Sequence, residues 1–501
     1  MNLLIEDLGE PDLEFGNGEC HKDPKSILPI AGPFSSSQDI EPRTIQLGLV
    51  GLVGEIDPVR RWITRMHGPL INEESNALRF REFPGAKTAF RCTFDIPDRF
   101  IRRINQRQYD LNSSRHPNDR FSEMLRLYTD AISTLFGDQH PACVLVSFPE
   151  ELASFRVSNP RLTYQEQRFL ERLQYEEETG QGLLFEPTTE EKRAAAELLP
   201  QAEELLFRNF HRALKAACMS KPNSVPLQVL RRQTYIDKES KQSPATRAWN
   251  LGLALYYKSG NIPWRPATLK TNTCFVGVSF HHLKRRSGDL VYASVAQAFS
   301  ANSEPFALKG AAVPRDQARG KQPYLREEQA AALMEDIINE YEKRIGSFPA
   351  RVIVHKTSRY QPEEEEGFRK GLLSKIAGCE LVWIAPTGFR LIRRGMLQPL
   401  NRGTLCTVER ESRYLFTTGY VPWWKIYPGP HIPAPVELGA AGETNFSERA
   451  QEILSLTKMN WNSADGVGRF PITLSFARRV GTIMTELDED TPPNPLYRFY
   501  M

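Results

Sequence analysis

The run from Ala142 to Phe148, ACVLVSF, is apolar at every position except Ser147, and Pro149, Glu150 and Glu151 close it. It does not alternate, and it is too short for a helix with one buried stripe. Such a segment is a strand covered on both faces, the usual state of a parallel sheet with helices above and below. The neighbouring sequence supplies the rest of that arrangement. Thr44–Leu52 (TIQLGLVGL) reads as a strand, Pro58–Met66 as a helix and Ala89–Ile96 as a second strand. A helix lies within Arg115–Phe136, and Val225–Leu230 (VPLQVL) is a further short strand. Alternation of this kind defines an α/β chain. The first forty or so residues, rich in Pro, Gly and Ser, read as an extended arm with turns.

Composition excludes several classes. The seven cysteines, at 20, 92, 143, 218, 274, 379 and 406, include no CxxC pair, which argues against a zinc site or a disulfide framework and for a reducing cytoplasm. The acidic start MNLLIEDLGEPDLEF lacks the basic region of a secretion signal, and no apolar run is long enough to span a membrane. A net charge of +3 over 501 residues does not announce a nucleic-acid binder. Any basic channel must come from local segregation, for which Arg102–Arg107, Arg231–Lys241, Lys284–Arg286 and Arg390–Arg394 are candidates, each equally readable as a solvated face. GLVGLVG at Gly48–Gly54 lacks the spacing of a dinucleotide-binding loop and reads as a glycine-bearing apolar strand.

The stretch Phe207–Trp264 carries the most chemistry. It reads as helix, loop, strand, loop, helix. His211 and Lys215, four apart, share a helix face. Gln228 is a polar residue in the short strand. Asn250 and Lys258, eight apart, roughly share a face of a helix opened by Ser243-Pro244. An imidazole, two ammonium groups and two amides suit a terminal phosphate, with no nucleophile–base pair among them. Spacing alone slightly favours an amphipathic helix pair with Lys215 and Lys258 solvated. The order H-x-x-x-K, P-x-Q-V, N-x7-K, G-N-x-P-W resembles the MID domain of Argonaute proteins. That resemblance makes His211, Lys215, Gln228, Asn250 and Lys258 the grip on a guide 5′-phosphate, with Asn261 in place of a family glycine.

From Arg265 onward the pattern changes. Three successive strands (CFVGVSF, LVYASVAQAFS, FALKGAAVP) precede a helix over Arg326–Arg344, the strand RVIVHKTS, a helix over Pro362–Ile376 and the strand CELVWIAP. That is the element order of an RNase H fold. Further strands at Thr404–Val408 and Tyr414–Thr418, a Pro-rich connection and helices over Ser447–Thr457 and Ile472–Glu486 complete the chain. The resemblance makes this a PIWI domain and identifies what has changed in it. Serine stands at Ser279, in Val276-Gly277-Val278-Ser279, and threonine at Thr357, after Val354-His355-Lys356, where the nuclease form has aspartates. Asn460 and Asn462 are candidates for the last position. Neutral hydroxyls do not hold a pair of divalent ions, so cleavage is not expected. His281, His282 and His355 read as ordinary strand-end histidines rather than a metal site.

As a whole the chain resembles a short prokaryotic Argonaute. The expected layout is a Rossmann-like MID domain with an N-terminal arm over 1–270, a helical insertion at about 155–202, and an RNase H-like PIWI domain over 271–501. The resemblance further implies a magnesium ion at the guide 5′-end, held by the Met501 carboxylate and Gln228. It implies a short guide RNA, a complementary target DNA from an invader, and a partner protein with an APAZ region. That partner would carry a sirtuin-like or TIR effector domain that depletes NAD in antiphage defence. Localisation is expected to be cytoplasmic, with no membrane contact.

Overall fold

The computed structural model describes residues 3–36, 43–113, 115–159, 207–270, 272–284, 290–299, 305–314, 318–319, 322–372, 376, 378–395, 397–409, 412–429, 431–487, 491 and 494–501. Among them the chain forms two main sheets. Strand β1 (Leu3–Asp7) belongs to the larger one. The smaller sheet is built from β2 (Arg43–Leu52), β3 (Cys92–Asp95), β4 (Ile101–Ile104), β5 (Cys143–Ser147) and β6 (Leu227–Leu230). Every pairing in it is parallel. β6 pairs β5, β5 pairs β2, and β2 holds β3 through its first residues and β4 through its last.

Both faces of this sheet are covered, as the apolar run in β5 requires. One face carries Val50, Val144 and Val146 against α2 (Pro117–Ser133) and α3 (Phe210–Met219). The other carries Leu47, Leu49 and Leu145 against α1 (Val53–Arg65) and α4 (Pro244–Lys258). α1 begins five residues before the expected start and keeps Pro58 inside it. The expected strand from Ala89 is shorter. Ala86–Phe90 is a helical turn, and Arg91, in the left-handed region at φ 53°, ends it before β3 begins.

The larger sheet contains β7 (Thr273–Lys284), β8 (Leu290–Phe299), β9 (Phe306–Pro314), β10 (Arg351–Lys356), β11 (Gly378–Pro386), β12 (Thr404–Val408), β13 (Ser412–Leu415) and β14 (Val436–Ala441). Its order is β1-β12-β13-β14-β11-β10-β7-β8-β9. β7, β8 and β9 meander antiparallel, whereas β10 runs parallel to β7 and β11 parallel to β10. Helices α5 (Glu327–Ile345) and α6 (Pro362–Lys370) cover one face through Leu333, Ile337 and Phe368. α7 (Phe446–Leu456) and α8 (Ile472–Met484) cover the other, where Phe275, Ile353 and Val382 join a core continuous with that of the smaller sheet.

Two differences from the sequence expectation have physical causes. The N-terminal arm is not free: β1 pairs antiparallel with β12, and Leu13–Glu14 pairs with Arg265–Pro266. The arm therefore belongs partly to the larger sheet rather than wholly to the first 270 residues. β14 escapes sequence patterning because Gly439 interrupts it. A Cβ there would lie 2.2 Å from the Trp383 ring, so glycine is what lets the indole of β11 cover the strand. The expected insertion at about 155–202 lies mostly outside the described residues, but its flanks, Arg156–Ser158 and Phe207–Asn209, pair with each other.

The contact between α8 and β7 is set by Gly277. A Cβ at that position would meet the Thr473 carbonyl oxygen at 2.2 Å and its carbon at 2.4 Å, both backbone. Gly277→Ala should therefore lower unfolding stability by ~1–3 kcal/mol, the usual cost of overpacking. Gly54→Ala, with nothing within 4 Å of the new methyl, should be neutral or slightly stabilising. Denaturant titration of the two variants checks this; equal stability would mean that α8 is free to shift off β7.

Candidate functional site

α3 starts where Asn209 caps it, its side chain accepting from the Arg212 amide at 3.3 Å. That cap sets the helix phase, so His211 and Lys215 face the same way, toward β6 at the edge of the smaller sheet. β6 turns Gln228 toward the end of α4, where the Gln228 Oε1 accepts from Lys258 Nζ at 2.7 Å. Lys258 is the last residue of α4 and also donates to the Leu227 carbonyl at 2.7 Å. A cation at a helix C-terminus is favoured by the exposed carbonyls there. The following turn needs Gly260 at φ +87°, and Asn261 Nδ2 donates back to the Tyr256 carbonyl at 3.2 Å. Trp264, fully buried, donates to the Lys458 carbonyl at 3.1 Å. The Gly-Asn-x-Pro-Trp sequence thus fixes the end of α4 and ties it to the second half of the chain.

His211, Lys215 and Gln228 line a cavity of about 420 Å³, with Lys258 behind Gln228. Its walls include His211, Arg212, Lys215 and Gln228 from the first half, and Asn462, Arg479, Tyr500 and Met501 from the second. The buried ammonium of Lys215 donates to the main-chain oxygen of Met501, joining the halves across the cavity. Arg479 reaches in from α8. Among the described residues, no Asp or Glu lines the cavity. Glu486, nearby, holds Arg208 at 2.9 Å and stands 3.9 Å from Arg212. Two buried nitrogen atoms, His211 Nε2 and Asn462 Nδ2, have no hydrogen-bond partner among the described residues.

The electrostatics follow from this crowding. Burial, then Lys258 and Arg479, hold the Lys215 ammonium well below its ordinary pKa. Burial, then Lys215 and Lys258, hold the His211 imidazole well below its own. Lys258 is lowered to about 8, chiefly by burial, with the Cys143 thiol partly opposing and Arg479 reinforcing the shift. The cluster is therefore short of negative charge. An anion entering the cavity would relieve each of these shifts at once.

The structure brings together His211, Lys215, Gln228 and Lys258. It does not bring Asn250 to them. The Asn250 Oδ1 accepts from the Ala464 amide at 3.1 Å and so anchors a loop of the second half. Eight residues of helix turn through about 800°, leaving Asn250 roughly 80° round the axis from Lys258. Arg479 and Asn462 join the site without a sequence signal, since they lie more than 200 residues beyond His211. Asn462 was a candidate for the last nuclease position; it lines this cavity instead, and Asn460 braces it by accepting from its amide at 3.2 Å.

The residues present do not fit the expected magnesium ion. Its two expected ligands, Gln228 Oε1 and the Met501 oxygen, already accept from lysine ammonium groups, and no carboxylate side chain stands beside them. The donor set is nitrogen-rich and cationic, the complement of an oxyanion rather than of a hard cation.

At the other candidate position, β7 and β10 run in register with Gly277 opposite His355 and Val278 opposite Lys356. The next step along both strands is Ser279 and Thr357. Thr357 is exposed and Ser279 half-buried. His355 is buried, its Nδ1 3.0 Å from the Thr473 hydroxyl, and burial depresses its pKa to about 3, so it is a neutral core residue. Lys356 is buried against Glu364 at 2.6 Å. The side chains of His281 and His282 lie outside the described residues. Among those described, no group of three His, Cys, Asp or Glu is placed to hold a metal, and no helix is long and apolar enough to cross a membrane.

Solved structures place the fold. The Clostridium butyricum Argonaute bound to a guide DNA and a 19-mer target DNA superimposes on 99% of this chain with a TM-score of 0.62 at 14% identity. The A. aeolicus Argonaute superimposes on 98% at 0.53, also at 14% identity, and Aa-Ago with externally bound siRNA does so on 99% at 0.54. A scan of protein-family models and a search of curated proteins give no match. The chain therefore has an Argonaute fold, and it spans about half the length of these structures, 55% of the first and 54% of the A. aeolicus chain.

The depressed Lys258 pKa gives a prediction with a definite sign. In the empty cavity its charge is lost as pH rises through about 8, and a bound anion restores it. A phosphate monoester is already a dianion at that pH, its second pKa being near 6. Affinity for a 5′-phosphorylated oligonucleotide should fall as pH rises above 8, with proton uptake on binding. Calorimetry in buffers of different ionisation enthalpy measures both; Lys258→Gln should weaken the dependence and leave the part that Lys215 contributes.

Proposed function

We propose that the chain binds a short guide strand by its 5′-phosphate in this cavity and uses the guide to pair with a complementary nucleic acid, without cutting it. The observation that carries this reading is a buried cluster of cationic and donor groups with no acidic side chain among the described lining residues, in a chain with an Argonaute fold. In this reading the smaller parallel sheet is a Rossmann-like MID domain and the larger sheet an RNase H-like PIWI domain. Sequence discrimination comes from base pairing, with the protein contributing backbone and end contacts. The guide is a short RNA and the target an invading DNA.

Absence of cleavage is supported by the chemistry at Ser279 and Thr357. Two adjacent strands meet there with hydroxyls, and hydroxyls do not supply the negative charge that two divalent ions require. Loaded with guide, the purified chain should leave a complementary target intact in magnesium or manganese. Guide-directed scission that persists through further purification would overturn this.

The reading includes a partner. The chain spans about half of the similar structures. Its edge strand β1 exposes all five residues, with Leu4 at 66% and Ile5 at 51%, the kind of edge that another strand covers. An APAZ protein with a sirtuin-like or TIR domain is the proposed occupant, and NAD depletion the proposed output. Co-expression with such a protein should give a stable complex that Ile5→Lys weakens. A complex unaffected by that change would place the interface elsewhere.

The test of the anion reading is a competition between 5′-phosphate and 5′-hydroxyl guides. Each charge-assisted bond to phosphate contributes ~1.5–3 kcal/mol, so Lys215→Ala should cut the preference by about ten- to a hundredfold. With Lys258→Ala added, the preference should vanish while the fold persists. Undiminished preference in the double variant would mean that the cavity is not the guide-end site.

A further inference from the structure

We infer that this chain captures the terminal phosphate without a divalent ion, the ammonium of Lys215 standing on the oxygen that a metal would need. The inference rests on the guide-end reading above and specifies the chemistry of that site. Three observations carry it. First, the two oxygen atoms expected as ligands are engaged by ammonium groups: the Met501 main-chain oxygen by Lys215, and Gln228 Oε1 by Lys258 at 2.7 Å. Second, the described lining residues include the cations Arg212, Lys215 and Arg479 and no acidic side chain, only the Met501 main chain, so a dication would enter a field dominated by its own sign. Third, the partnerless buried atoms His211 Nε2 and Asn462 Nδ2 are nitrogens. An amide nitrogen donates to a phosphate oxygen and does not ligate magnesium.

The same groups account for the balance of charge. A phosphate monoester brings about two negative charges and three acceptor oxygens. Lys215 and Arg479, contributed by opposite walls, match that charge, and Asn462 supplies a neutral donor. Because Arg479 and Asn462 come from the second half of the chain and Lys215 from the first, the anion itself bridges the halves, the task otherwise expected of a metal.

The experiment measures the ratio of affinities for 5′-phosphate and 5′-hydroxyl guides of one sequence, in EDTA and in magnesium. Taking the ratio cancels the effect of magnesium on the rest of the backbone. The expected result is the same ratio in both buffers, and a ten- to hundredfold smaller ratio for Arg479→Ala in EDTA. Arg479→Lys, which keeps the charge, should recover part of the loss and guards against a misfolded alanine variant. Asn462→Asp should lower the ratio in EDTA and make it respond to magnesium, because it introduces the missing carboxylate. A wild-type ratio that collapses in EDTA and returns with magnesium overturns the metal-free inference and leaves the guide-end reading standing. A ratio near one in both buffers overturns the guide-end reading itself.

Discussion

The contact between the Lys215 ammonium and the main-chain oxygen of Met501 ties the site to the fold. It crosses from a helix on the first sheet to a segment packed on the second. A buried ammonium without an acidic side chain beside it is costly, and main-chain oxygens only partly replace the water it has lost. The structure tolerates several such groups in one place because both walls are rigid. Tyr257 packs on Trp461 at 4.5 Å, Trp264 is bonded to the Lys458 carbonyl, and the core runs unbroken between the sheets.

The rigidity has its own supports. Lys458 and Arg402, both fully buried, share Glu10 of the N-terminal arm, at 2.7 and 2.9 Å. Lys25 of the same arm reaches Asp465 at 2.6 Å, beside the Ala464 amide that Asn250 holds. The arm and α4 thus grip the loop that carries Asn462 from two sides. These cations are paired with carboxylate side chains, whereas Lys215 and Lys258 meet only main-chain and amide oxygens.

Much of the fold was legible because burial leaves a period in the sequence. The uninterrupted run of β5 announced a parallel sheet covered on both faces, and the order of elements after Arg265 announced the second sheet. Where a single residue serves a neighbour, the period fails: Gly439 yields to Trp383, and β14 disappears from the pattern. The N-terminal arm hid its strand because Leu3–Asp7 is exposed on every residue, leaving no alternation to read. At the site, His211 and Lys215 follow from helical spacing, and Gln228 from a polar residue in a short strand. Asn250 was misplaced by the difference between eight residues and a whole number of turns. Arg479 and Asn462 were illegible, since proximity across more than 200 residues is a product of tertiary folding and leaves no local trace.

The central claim is that the cavity between α3, β6 and α8 holds the terminal phosphate of a guide. A crystal structure of the chain with a 5′-phosphorylated guide tests it most directly. The account predicts the terminal phosphate within hydrogen-bond reach of Lys215 Nζ, the Arg479 guanidinium and Asn462 Nδ2. A guide whose 5′-end lies elsewhere, with this cavity filled only by water, would contradict it.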